Sequence, residues 1–255
     1  MKKITSAALL GLCVTTPVMA DSVLGLYAGA GSFSFDVSGT FTDLQNSNSS
    51  EVDLEDDLGI NGDTGNYYYL AIEHGVPVLP NARLAFTSMQ ETGRNILRTE
   101  ITYNGQTFAE DSLVVTDVDL SHTDLTLYYQ LLDNWLNLDL GLTGRAFDGQ
   151  FVTVGSNSFG SIKATRDLNF IVPLVYGKLQ IDLPVSGLYV GTEGNGIAYN
   201  GSHFYDVWLK AGYEFSFGLG LEAGYRKLQL TLDDVESLDA DITFDGHYFA
   251  LSYHF

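Results

Sequence analysis

The chain has 255 residues, 45 % of them hydrophobic and 13 % aromatic, and sets 32 acidic against 12 basic residues for a net charge of −20. A surface of that sign repels nucleic acid and free anionic headgroups. No stretch beyond the N-terminal segment has eighteen consecutive apolar residues, which excludes a helical membrane protein. The single cysteine, Cys13, excludes a disulfide framework.

The first element in chain order is an export signal. Lys2 and Lys3 form a positive start, Ile4 to Val14 is an apolar stretch too short to span a bilayer, and Val18-Met19-Ala20 has the modest side chains that a signal peptidase reads. Cleavage is expected between Ala20 and Asp21, giving a signal peptide over 1–20 and one further domain over 21–255. Leu12, in front of Cys13, is too large for the lipoprotein alternative.

A glycine-rich strand is expected over about 22–35, ambiguous in its facing. The stretch Asp43 to Asp63 follows, with seven acids and no base, and reads as a solvated loop. Tyr68, Leu70 and Ile72 mark a strand that ends at the proline-bracketed turn Val76 to Asn81, and Leu84 and Phe86 begin the return. Tyr103-Asn104-Gly105-Gln106 carries a two-residue hairpin signal inside a longer connection, about 98–116.

Leu125, Leu127, Tyr129 and Leu131 alternate with Asp124, Thr126, Tyr128 and Gln130. After Asp133-Asn134, Leu136, Leu138, Leu140 and Leu142 alternate with Asn137, Asp139, Gly141 and Thr143. Two period-2 strands, leucine on one face and polar on the other, predict a membrane hairpin with Trp135 at the interface. A loop over about 148–166 precedes a strand over 168–182, in which Pro173 is awkward because it cannot donate to a ladder.

The stretch 188–198 is the weakest strand, and a loop is expected over 195–202. A second hairpin sets Tyr205, Val207, Leu209, Ala211, Tyr213 and Phe215 outward, then Leu219, Leu221, Ala223 and Tyr225 after a turn at Phe217-Gly218. Another acidic connection runs over about 232–241. The terminal strand points Phe249, Leu251, Tyr253 and Phe255 one way, an aromatic face that expects hydrocarbon and serves in assembly.

The fold class is therefore all-β: a transmembrane antiparallel up-and-down barrel of ten strands, with eight as the fallback, in the outer membrane of a Gram-negative bacterium. Short turns near 77–80, 133–134, 183–187 and 217–218 should face the periplasm, and the longer connections the outside. The expected partners are the lipid bilayer, lipopolysaccharide and, during insertion, the barrel-assembly machinery. The barrel is expected to be a monomer with no nucleic acid, cofactor or metal. The acidic loops lack the pattern of a calcium loop, though a divalent cation could bridge them to lipopolysaccharide phosphates.

The lumen is expected to be plugged by large charges of both signs: Asp139, Arg145, Lys210, Glu214, Glu222 and Arg226. A narrow, cation-preferring channel is the alternative reading. An enzyme would need histidine beside a nucleophile or carboxylate. Two clusters qualify by composition, Ser121-His122 with Asp124 and Ser202-His203 with Asp206, but neighbours on a strand face opposite ways. No catalytic residue is assigned, and a structural or loop-mediated binding role is expected.

The run Glu73-His74-Gly75-Val76-Pro77-Val78-Leu79-Pro80-Asn81, followed by Leu125-Thr126-Leu127-Tyr128-Tyr129 with Asp133-Asn134-Trp135, resembles a family of small proteobacterial outer-membrane β-barrel proteins. That family is uncharacterised and is noted in genomes carrying the rhombosortase sorting system. The resemblance implies a fold and a location. It carries no reaction.

Overall fold

The structure is a computed structural model, and it describes residues 24–44, 49–157, 160–184, 186–235 and 237–255. The expected signal, with Cys13, Ala20 and Asp21, lies outside them. Fifteen strands follow in order: β1 (Leu24–Asp43), β2 (Glu51–Asp53), β3 (Gly62–His74), β4 (Asn81–Ser88), β5 (Gln90–Ile96), β6 (Ile101–Tyr103), β7 (Gln106–Phe108) and β8 (Leu113–Asp119). The rest are β9 (His122–Leu132), β10 (Leu136–Asn157), β11 (Gly160–Asp182), β12 (Leu188–Tyr199), β13 (Ser202–Glu214), β14 (Leu219–Val235) and β15 (Leu238–His254).

Ten of these close a barrel of antiparallel neighbours. The wall runs β1, β3, β4, β9, β10, β11, β12, β13, β14, β15 and returns to β1 through pairs such as Ala30 with Leu251. Closure leaves the wall no hydrogen-bonding edge for most of its height, which is what spanning a bilayer with strands demands. The leucine rows fall on the outer surface: Leu125, Leu127, Leu131, Leu140, Leu142 and Leu209 are exposed, as are Phe249, Leu251, Tyr253 and Phe255. On β9 their neighbours Asp124, Thr126 and Tyr128 are buried inside.

Glycine on the inner wall makes room for rings on the adjoining strand. A Cβ on Gly29 would sit 2.1 Å from Cε1 of Tyr69, its cross-strand partner, and one on Gly31 would sit 2.4 Å from Cε1 of Tyr67. The ring lying across a bare backbone supplies the contact that glycine lacks. This settles the facing of β1: Tyr27, Gly29, Gly31, Phe33 and Phe35 line the interior.

Several boundaries differ from expectation. The loop expected over 148–166 is instead the upper part of β10 and β11, paired from Asp148 with Asn169 up to Asn157 with Gly160. The connection expected over 195–202 narrows to Asn200-Gly201, both at positive φ, between Tyr199 and Ser202. Strand pairing likewise resumes at Val235 with Leu238 inside the acidic stretch expected as a loop over 232–241. The reason is common to all three. Apolar alternation stops where hydrocarbon stops, while backbone hydrogen bonding continues into water. Pro173 finds its place by the same geometry. Pairing of β11 with β12 begins only at Val175, so Pro173 lies where the strand has one neighbour only, β10.

At the end with the longer connections, β8 extends the wall by pairing with Gln150–Ser156 of β10, and β5 pairs with β8. The hairpin β6–β7 turns on Asn104-Gly105, both at positive φ, as its residues predict. Val52, Leu54, Leu58 and Ile60 bury themselves against Leu97, Ile101, Phe108 and Val114 in one cluster that continues down to Phe33 and Phe244. These two connections therefore form a folded cap. Some of their acids are structural. Asp53 Oδ1 accepts the Glu55 and Asp56 amides at 2.9 and 2.8 Å, and Glu91 Oε1 accepts those of Asn61 and Gly62, both at 2.7 Å. Among the described residues no group of three or more potential ligands is placed to hold a metal ion.

Candidate functional site

Inward positions carry charge, and the barrel brings those charges together from strands far apart in sequence. Arg145 on β10 faces Asp124 on β9 as a cross-strand pair, its Nε and Nη2 donating at 2.8 and 2.7 Å. The same Nη2 reaches Asp206 on β13 at 2.9 Å. Asp206 also accepts Nε and Nη2 of Arg226 on β14, at 2.8 and 2.7 Å. Asp206 has no solvent exposure and Arg145 only 1 %. Bidentate, charge-assisted geometry of this kind offsets the desolvation of the group.

A second group lies nearer the end that holds Leu24 and Phe255, called here the turn end. Glu193 on β12 accepts Arg83 of β4 and Lys210 of β13, each at 2.7 Å, and Lys210 stands 3.7 Å from Glu222. Tyr189 and Tyr248 donate to Glu222 at 3.0 and 2.8 Å. Lys178 is 3.4 Å from Asp139. Glu73 accepts Tyr128 at 2.7 Å and Gln130 at 3.0 Å.

Of the six residues expected as a lumen network, Arg145 and Arg226 share Asp206, while Lys210 and Glu222 share a neighbourhood with Glu193. Asp139 pairs separately with Lys178. Glu214 lines the same interior but pairs with no base among the described residues. Arg83, Glu193 and Lys178 were missed. The outward parity of Leu84 and Phe86 places Arg83 inside, so its signal was present. Glu193 sits between Gly191, Gly194 and Gly196, where no apolar alternation marks the strand.

Charge is not the only filling. Toward the cap the interior is aromatic: Phe33, Phe35, Tyr67, Phe204, Phe244 and Tyr248 are buried, with Trp208 in edge contact with Tyr67 and Tyr248, both at 4.8 Å. The arginines lie on these rings, Arg226 over Trp208 at 4.4 Å and over Phe33 at 4.6 Å, and Arg83 over Tyr69 at 4.4 Å. Toward the turn end the interior opens into a cavity of about 740 Å³, walled by Tyr27, Tyr69, Tyr128, Tyr176 and Tyr189 together with the second charge group.

The two clusters considered for catalysis do not assemble. Ser202 Oγ accepts the Asp233 amide at 3.0 Å, His203 lies 3.2 Å from Thr231 Oγ1, and Asp206 is committed to arginines inside. His122 is buried, bonded through Nδ1 to the Leu120 carbonyl at 2.8 Å, and Ser121 Oγ accepts the Met89 amide at 3.2 Å. Neither serine has a histidine as hydrogen-bond partner.

No family model and no curated protein matches this chain. Solved structures do. The outer membrane protease OmpT from Escherichia coli aligns at a TM-score of 0.53 and 11 % identity, over 94 % of this chain and 99 % of that one. The transport unit of the autotransporter AIDA-I from Escherichia coli aligns at 0.43 and 7 %, over 95 % and 92 %. The Pseudomonas putida toluene transporter TodX aligns at 0.34 and 11 %, over 90 % and 89 %. The first likeness is one of fold, a barrel of the outer-membrane type.

Proposed function

We propose that this chain is an integral barrel of a Gram-negative outer membrane whose lumen does not conduct and whose work is structural or done by its cap. In this reading the chain is exported by cleavage after Ala20 and inserted by the barrel-assembly machinery. It then stands as a monomer among phospholipid and lipopolysaccharide, turn end to the periplasm, and belongs with the uncharacterised barrels its motifs resemble. We assign it no catalytic chemistry.

The observation that carries the reading is the layering of the interior. The pairs Asp124–Arg145 and Asp206–Arg226 are buried beneath a continuous aromatic and aliphatic cluster that runs into the cap. A path for solute would have to break ion pairs and displace rings together. Each loss exposes an unpaired buried charge, a cost of several kcal/mol.

Single-channel recording in a planar bilayer tests it, with a heat-shifted electrophoretic band as proof of folding. A folded protein that gives no discrete steps is the expected result. Reproducible openings that prefer cations would replace this reading with the narrow-channel one.

A further inference from the structure

We propose that the turn-end cavity binds an organic cation, an alkylammonium or guanidinium group held among Glu73, Asp133, Asp182 and Glu214. The cavity, about 740 Å³, falls within the range of roughly 300–1,000 Å³ common to small-ligand sites. Nine carboxylates and five lysine or arginine side chains line it, so its walls carry excess negative charge. A recess with one sign of charge and low-dielectric walls concentrates the opposite ion.

The excess is graded along the barrel. Among the described residues, Asp124, Asp139, Glu193, Asp206 and Glu222 each have a base within 4 Å, whereas Glu73, Asp133, Asp182 and Glu214 have none. These four stand where descending strands finish. Glu73 is next to last in β3, Asp182 and Glu214 end β11 and β13, and Asp133 follows β9. Two side chains of this wall also hold acceptor atoms that no donor reaches. Asp139 is 1 % exposed, and neither of its carboxylate oxygens accepts a hydrogen bond, its only base being Lys178 at 3.4 Å. Asn195 Oδ1 is likewise buried without a donor on the same wall. The unbonded guanidinium nitrogens of Arg83, Arg145 and Arg226 differ, because each of those arginines lies on an aromatic ring. A positively charged N–H donor would satisfy these open acceptors, and the tyrosine faces of the wall suit one.

The chain's two tryptophans, Trp135 and Trp208, both line this cavity, so their fluorescence reports its occupancy. Protein purified from membranes in neutral detergent would be titrated with spermidine, with trilysine as a polypeptide source of the same group and with magnesium chloride at matched ionic strength. A saturable change with either amine is expected, and the tighter of the two identifies the source. Glu73→Gln with Glu214→Gln should weaken it about tenfold, whereas Glu55→Gln with Asp56→Asn on the cap should leave it unchanged. The heat-shifted band confirms that each variant folds, and Glu214→Gln alone, which removes no side-chain bond, is the safeguard.

No saturation by either amine, an equal response to magnesium, or equal weakening by the cap variant would overturn the proposal. Binding rests on the closed-barrel reading only for which compartment the cavity faces. A conducting barrel that still binds spermidine would fail that reading and keep this one.

Discussion

Arg145 on β10 and Asp206 on β13 meet at 2.9 Å across the barrel interior, although β11 and β12 separate their strands in the wall. With Arg226 bound bidentately on the other side, Asp206 is shared by two arginines. Asp206→Ala leaves Arg226 without an acid and Arg145 with Asp124 alone. We expect a loss of about 3–5 kcal/mol of folding free energy, the usual effect of stranding a buried charge. Urea unfolding in detergent measures it, with Glu214→Gln changing stability by no more than about 0.5 kcal/mol.

The outer face makes a second prediction. Leu142 and Leu209 are 67 % and 56 % exposed on strands whose inward residues include Thr143, Arg145, Asp206 and Lys210. Leu142→Arg or Leu209→Arg should cost roughly 2–4 kcal/mol at mid-bilayer and reduce the folded protein recovered from membranes. Asp56→Arg on the cap should not. Wild-type recovery of both leucine variants would contradict the assignment of this face to lipid.

Gly29 and Tyr69 test the packing of rings over bare backbone. The branched side chain of Gly29→Val cannot coexist with the Tyr69 ring where it lies, and it would push that ring off Arg83. A loss of about 1–3 kcal/mol is expected, as for other overpacked interiors. Adding Tyr69→Ala should restore part of it. In a double-mutant cycle the coupling should reach at least about 0.5 kcal/mol, and strict additivity would show that the clash is relieved elsewhere.

The cap should be separable from the barrel. Leu58 has no exposure and packs in the cap cluster, so Leu58→Ala should remove about 2–5 kcal/mol from that region. Limited proteolysis is then expected to cut within 49–61 or 89–121 while the heat-shifted barrel band persists. Loss of the band together with the cap would mean that the two fold as one cooperative unit.

How much of this was legible in the residues varies with the element. On β9, β10, β13 and β15 the alternation is strong, since one face meets hydrocarbon and the other meets charge, and both the strands and their facing could be read. On β12, where Gly191, Gly194 and Gly196 interrupt the pattern, the strand was faint and Glu193 was overlooked. The upper halves of β10 and β11 read as loop because polar and charged residues interrupt the period there, Asp148-Gly149-Gln150 on β10 and Arg166 between Ala164 and Leu168 on β11.

Length, charge, the period-2 rows of leucine and the aromatic terminal strand determined by themselves an all-β barrel with leucine outside, while the choice of ten strands over eight came from the structure. Those features are local, set by which side chain each successive residue points to which solvent. Only the tertiary structure decided that Asp206 joins Arg145 to Arg226, that rings fill the interior toward the cap, and that four acids without bases surround a cavity at the turn end. These relations depend on the stagger and closure of strands far apart in the chain. No pattern within one strand records which inward side chains will face each other across the lumen.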